Sequence, residues 1–130
     1  MIVLDASAAV ELLLWSDAGR RVARRLANPA ESLHAPHLID VEVTQVLRRA
    51  ERARMLEPDR ASEALRALGD LGLAHYGHGP LLSRAWELRH NCTAYDAVYL
   101  ALAEALGAPL LTLDAGLARV PGTRASVEVI

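Results

Sequence analysis

Two short apolar runs, each ending in aspartate, constrain this chain more than any other feature. Ile2-Val3-Leu4 stops at Asp5, and Leu110-Leu111-Thr112-Leu113 stops at Asp114. Both read as strands buried on both faces, and helical periodicity fills most of the chain between them. Ala8 to Leu14 predicts a short helix with Asp5 or Ser7 as its cap, and Ala18 to Ala27 predicts a second. Leu33 to Ala35 is a weak strand, followed by a clear helix over Leu38 to Arg52. Asp59 to Leu71 is helical with Pro58 near its start, and Leu73 to Tyr76 reads as a strand. Leu81 to Arg89 is helical, and Thr93 caps a helix from Ala94 to Leu106 that Gly107 closes. A short helix follows Asp114, and Val127 to Ile130 forms a last strand. Apolar strands alternating with helices predict an α/β fold whose parallel sheet is covered on both faces. The 130 residues suit one domain spanning 1–130, with no repeat or linker to divide them.

The charge inventory excludes several chemistries. All 14 basic residues are Arg, and there is no Lys. A Walker A phosphate loop, a Schiff-base enzyme and a response-regulator receiver each need one. Cys92 is the only cysteine, which rules out an internal disulfide and a cysteine-based zinc cluster. The chain opens on Met-Ile-Val-Leu-Asp with no basic stretch ahead of an apolar one, so no signal peptide is expected. No apolar run approaches membrane-spanning length. The expectation is a cytoplasmic protein with no membrane partner.

The chemistry lies in the acids. In open α/β sheets, ligands sit outside the carboxyl ends of the strands, so Asp5 and Asp114 point at one edge. The plain alternative is that each caps the helix that follows. Glu42 is flanked at helical spacing by Leu38, Ile39 and Val46, on or beside the apolar stripe of its helix. Asp96 shares its helix face with Tyr99, Leu100 and Ala103, and that helix is apolar nearly all round. Burying an ionised carboxylate costs several kcal/mol unless it is paired or bound to metal. Asp96 is either a structural acid at the helix start, with Arg84 or Arg89 to neutralise it, or a functional one. Four converging anions repel one another, and a divalent cation removes the conflict. All-oxygen ligation suits Mg²⁺ or Mn²⁺ rather than Zn²⁺. Such ions activate water and neutralise charge developing on a phosphate. Ser7 and Thr112, close in sequence to Asp5 and Asp114, are supporting hydroxyls that can orient a carboxylate or bind a metal water.

These residues resemble the motifs of the PIN-domain nucleases. Asp5-Ala6-Ser7 after an opening strand resembles the first motif, and Glu42 after Pro36-His37-Leu38 the second. The stretch from Leu88 to Ala103, with Thr93-Ala94-Tyr95-Asp96-Ala97 at its centre, is very similar to the third. Leu110-Leu111-Thr112-Leu113-Asp114, followed by Leu117, resembles the fourth. The closest group is the VapC toxins of bacterial type II toxin–antitoxin pairs. The resemblance implies a three-layer α/β/α sandwich around a parallel sheet of four or five strands. It implies a Mg²⁺- or Mn²⁺-dependent endoribonuclease acting on tRNA, rRNA or mRNA. It also implies a homodimer, neutralised by a cognate VapB-like antitoxin. Asp5, Glu42, Asp96 and Asp114 carry over as the catalytic, metal-binding acids. Some members have a further acid after the fourth motif; here Ala115 and Gly116 follow.

Weaker signals surround this core. Residues 18 to 54 hold eight Arg against four acids. Arg49 lies two turns beyond Glu42 on the same side of the helix, and with Arg52 it is a candidate RNA-phosphate ligand. The simpler reading of such clusters is a solvated helix face. The pairs His34/His37 and His75/His78 lack a fixed helical spacing, so a metal role is disfavoured for both. Asp40 is expected to face solvent or join the cap. Trp15, ending a short helix, suits a dimer or antitoxin interface, and Trp86 is expected in the core. Against the toxin stand two alternatives: a non-catalytic RNA- or partner-binding module of the same fold, and a housekeeping RNA-processing nuclease.

Overall fold

The computed structural model describes residues 1–130. Five strands form one all-parallel sheet: β1 (Ile2–Leu4), β2 (Leu33–Pro36), β3 (Ala74–Tyr76), β4 (Leu110–Thr112) and β5 (Val127–Val129). Their order is β3-β2-β1-β4-β5. The chain lays down β1, β2 and β3 in one direction, then returns to place β4 on the other side of β1. The direction of winding therefore reverses between β1 and β4. Their carboxyl ends, which lead into Asp5 and Asp114, flank the crevice where ligands of open parallel sheets bind.

The helices are α1 (Ala6–Leu14), α2 (Asp17–Arg25), α3 (Leu38–Arg52), α4 (Pro58–Asp70), α5 (Leu82–Glu87) and α6 (Ala94–Leu106). The first four pack on one another over one face of the sheet, and α5 and α6 pack together on the opposite face. This is the three-layer α/β/α sandwich that the resemblance implied. All three residues of β1 are fully buried, because the central strand is covered on both sides. The edge strands β3 and β5 are short and carry exposed or half-exposed polar residues, which discourages edge-to-edge association. In α6, Ala97 to Ala103 are all buried, as expected of a helix that is apolar all round.

Local chemistry sets most helix boundaries. Asp5, Ser16 and Thr93 cap α1, α2 and α6 through their side-chain oxygens. α3 is capped from a distance instead: the Leu38 N–H donates to His78 Nε2 at 3.0 Å. The predicted Leu81–Arg89 helix divides into a 3-10 turn over Gly79–Leu81 and the short α5, and the segment after Asp114 is a 3-10 turn over Leu117–Arg119. No helix is long and apolar enough to cross a membrane.

A polar clasp holds the last segment against α5 and α6. Glu104, whose side chain is 8% exposed, accepts from Arg84 Nε at 2.7 Å, the Arg124 N–H at 2.7 Å and the Thr123 hydroxyl at 3.2 Å. Arg84 also donates to the Gly122 carbonyl, and Asn91 to that of Pro121. Arg84 holds the Glu104 carboxyl down to about 2. Stability from this depressed carboxyl is present above its unfolded value near 4.5 and is lost as pH falls toward 2. Glu104→Gln is expected to cost about 1–3 kcal/mol at neutral pH. It should also flatten the acid limb of a stability-versus-pH curve between those two values. Urea melts across that range check both; an unchanged acid limb would remove Glu104 from this role.

Candidate active site

Asp5 leaves β1 at the centre of the sheet and is only 8% exposed. All its hydrogen bonds fall on one oxygen. Oδ2 accepts from the Ser7 hydroxyl at 2.5 Å, the Thr112 hydroxyl at 2.7 Å and the Ser7 N–H at 3.3 Å. Each hydroxyl in turn accepts a backbone N–H from the exit of β4: Leu113 onto Ser7 Oγ at 3.0 Å, and Asp114 onto Thr112 Oγ1 at 2.9 Å. The proton of each hydroxyl is thereby directed at Asp5. Backbone amide, hydroxyl and carboxylate form two relays that lock one carboxylate oxygen and leave Oδ1 free for the crevice. Ser7 and Thr112 thus hold the Asp5 carboxylate in place. Thr112 is wholly buried.

Asp114 begins the turn after β4 and is exposed. Its Oδ1 accepts the Gly116 N–H at 2.7 Å. A Cβ at Gly116 would lie 2.8 Å from that oxygen, so only glycine lets the turn close this tightly without displacing the carboxylate.

The other two acids come from helices on opposite faces. Glu42, on the second turn of α3, is half-buried, and its Oε2 accepts from the Tyr99 hydroxyl at 2.6 Å. Burial pushes the Glu42 carboxyl up; Tyr99 opposes this, and the charges of Asp5 and Asp96 add to it. Asp96, on the first turn of α6, is also raised by burial, opposed by the Thr93 hydroxyl and reinforced by Asp5 and Asp114. The charge of Asp5 thus bears on both raised groups, that of Asp96 on Glu42 and that of Asp114 on Asp96. The buried Tyr99 phenol is held far above its usual range by burial and by Glu42, so it stays a proton donor. Tyr99 was not legible as a site residue. Its partner lies 57 residues away on the other face of the sheet, and only its buried polar tip hinted at one.

Several expectations are corrected. Arg84 and Arg89 do not neutralise Asp96: Arg84 is committed to Glu104 and Glu87, and Arg89 donates to the Trp86 carbonyl. The buried stripe of α3 is Ile39, Val43 and Leu47, and Val46 is exposed. Trp86 is not in the core; it is 68% exposed. Asp40 is partly exposed and accepts from His75, whose ring stacks on His37. His34 is buried between Ser32 and Tyr76, which bond both its ring nitrogens. Arg48, Arg49 and Arg52 are exposed and form no ion pair, so their charge is free toward solvent.

The donor set fits a hard cation. Every group is oxygen, and an anionic crevice that burial and mutual repulsion both destabilise is relieved by positive charge. As the side chains stand, no three of them close on a common point. Mg²⁺ does not need that, since it retains several waters and takes only one or two carboxylates directly.

Comparison with known proteins agrees with this arrangement. Residues 2–123 match the family described as PIN domain. The chain is 43% identical over 129 residues to ribonuclease VapC1 of Mycobacterium tuberculosis, covering 98% of this chain and 96% of that one. It is 42% identical over 130 residues to ribonuclease VapC12 of the same organism, covering 100% and 99%. Among solved structures, PAE2754 from Pyrobaculum aerophilum superposes with a TM-score of 0.70 at 25% identity, over 98% of this chain and 83% of that one. M. tuberculosis VapC20, described as a sarcin-ricin-loop-cleaving toxin, gives 0.71 at 18% identity over 95% and 96%. A sheet whose winding reverses between two aspartate-ended strands and relatives matched from end to end leave one assignment: the chain belongs to the PIN-domain family, among its VapC ribonucleases.

Proposed function

We propose that this protein is a cytoplasmic, divalent-metal-dependent endoribonuclease toxin, one nuclease domain spanning 1–130, restrained by a cognate VapB-like antitoxin and acting as a homodimer. The observation that supports the reading is that Asp5 and Asp114 end β1 and β4 at the carboxyl edge where the winding reverses, with the charge of Asp5 bearing on both Glu42 and Asp96. The end-to-end similarity to VapC ribonucleases supports RNA as the substrate and an antitoxin as the partner.

Asp5 Oδ1, Asp96, Asp114 and Glu42 would hold Mg²⁺ or Mn²⁺. When bound, the ion lowers the pKa of a water and offsets charge developing on the phosphate oxygens. The Ser7 and Thr112 relays keep Asp5 from rotating, which fixes where its free oxygen points. Tyr99 does the same for Glu42, leaving Oε1 as the oxygen it can offer to the ion. The new O–P bond forms as the bond from phosphorus to the leaving ribose oxygen breaks; the attacking water gives up its proton to bulk water, and the leaving oxygen takes one from it. Arg49 and Arg52, exposed and without carboxylate partners, extend from the α3 side of the site as ligands for flanking RNA phosphates.

The test is to incubate purified, antitoxin-free protein with total bacterial RNA in Mg²⁺, in Mn²⁺ and in EDTA. Discrete fragments are expected with metal. They should vanish with EDTA and return when metal is restored in excess. Cleavage that persists in EDTA would overturn the metal chemistry. A folded protein that cleaves nothing under any condition would favour a binding module.

A further inference from the structure

The exposed aromatic surface is not evenly spread. Trp15 caps the far end of α1, a helix that begins at Asp5, so it lies at the opposite end of the sandwich from the acids. Trp86 lies elsewhere, near the end of α5. Leu81, Ala85 and Leu88 turn inward, whereas Leu82 and Trp86 face solvent at 56% and 68% exposure. The Arg89 guanidinium sits over the Trp86 ring, 4.7 Å from its centroid, pinned there by a 2.8 Å bond from Nη1 to the Trp86 carbonyl. Arg84 on the same helix is saturated by Glu87 and Glu104, but Arg89 has no carboxylate partner.

The chain then turns sharply. The Leu88 carbonyl accepts the N–H groups of Asn91 and Cys92, and Thr93 caps α6 at the Asp96 N–H. This turn delivers Tyr95, 62% exposed, beside Asp96. Two exposed aromatic rings and an unpaired guanidinium thus border the turn that presents Asp96.

We propose that Trp86, backed by Arg89, is a stacking subsite for an unpaired nucleobase of the RNA, on the segment that leads through the turn to Tyr95 and Asp96. It rests on the ribonuclease reading and adds how the substrate is gripped. Two features favour a nucleobase over an apolar protein segment. RNA is a polyanion, and Arg89, on the segment that leads into Asp96 and without a carboxylate partner, offers it a cation. A flat indole with a guanidinium plane on one face matches how single-stranded RNA bases are held, on aromatic rings and Arg planes. A base stacked there demands an unpaired nucleotide, so the subsite selects loops and single strands over duplex.

The experiment uses an Asp96→Asn, Trp15→Phe protein, free of antitoxin, in which Trp86 is the only tryptophan. A short oligoadenylate should quench Trp86 emission saturably, and a blunt RNA duplex of the same length should not. By anisotropy of the labelled oligoadenylate, Trp86→Leu in this background should weaken binding about ten-fold or more, and Trp86→Phe should keep most of it. Because Trp86 is exposed, both variants should melt at the parent temperature. Unchanged affinity in Trp86→Leu, with total RNA still cleaved by the wild-type protein, would overturn the subsite and leave the nuclease standing. Absence of both oligoadenylate binding and cleavage would overturn both. A fall in light-scattering mass on Trp86→Leu, with oligoadenylate affinity retained, would assign the ring to contact between copies and sink the proposal.

Discussion

Asp96→Asn is expected to reduce RNA cleavage by 10²–10³-fold or more, on the order of what removing one preorganised charge costs an enzyme that stabilises charge at phosphorus. The same substitution should leave the fold intact. The cap of α6 runs from the Asp96 backbone N–H to Thr93, so it survives a change of side chain. Burial and the charges of Asp5 and Asp114 already disfavour the ionised carboxyl. A neutral amide of the same size relieves that conflict, so the melting temperature should stay level or rise. Activity and stability are thus predicted to move in opposite directions, which a structural acid would not do. Gel-based cleavage of total RNA and a thermal melt on one preparation suffice. Cleavage within a few-fold of wild type would remove Asp96 from the chemistry.

Gly19→Ala should be the most damaging single methyl group in the chain. Gly19 lies inside α2, where propensity alone favours Ala over Gly by about 1 kcal/mol. Packing opposes this more strongly. A Cβ there would fall 1.9 Å from the Glu11 carbonyl oxygen and 2.5 Å from its carbon. Those are backbone atoms of α1, so no rotamer change makes room. The two helices must separate along their contact, exposing part of the core that Ala9, Leu13 and Val22 fill. A net loss of about 3 kcal/mol or more follows, near the upper end of single-site effects. For a chain of this size that lowers the melting temperature by about 10 °C. A melt within two or three degrees of wild type would mean that α1 and α2 slide apart cheaply.

The fold was largely legible because its signals are local. The caps Asp5 and Thr93 and the stop at Gly107 lie within a few residues of the elements they bound, and α3 and α6 run over the predicted residues. Asp5 and Asp114 were legible as candidates because they end apolar strands, and Glu42 and Asp96 because they lie on apolar stripes. The failures concern which side of a helix is covered. Leu81, Ala85 and Leu88 are the inward stripe beside α5, and Trp86 is one residue, about 100°, past Ala85. Size and apolarity suggested burial, but angular position decided against it. Pairings between distant elements were not legible: Tyr99 with Glu42, His78 with the start of α3, and Glu104 with the 123–124 backbone depend on how layers meet. No local pattern encodes that.

The reversal of strand order has a consequence for synthesis. Asp5 leaves the ribosome well before its partner Thr112, which follows 107 residues later. Strands β1, β2 and β3 can pair while the chain is still growing, but β4, the neighbour that completes the crevice on the other side of β1, is translated only after all three. A nascent or truncated chain lacks both Thr112 and Asp114, so it carries half a site however well the rest has folded. Interruption of translation before β4 therefore yields a chain with an incomplete crevice, and the interval between starting this fold and completing its site is set by the topology of its sheet.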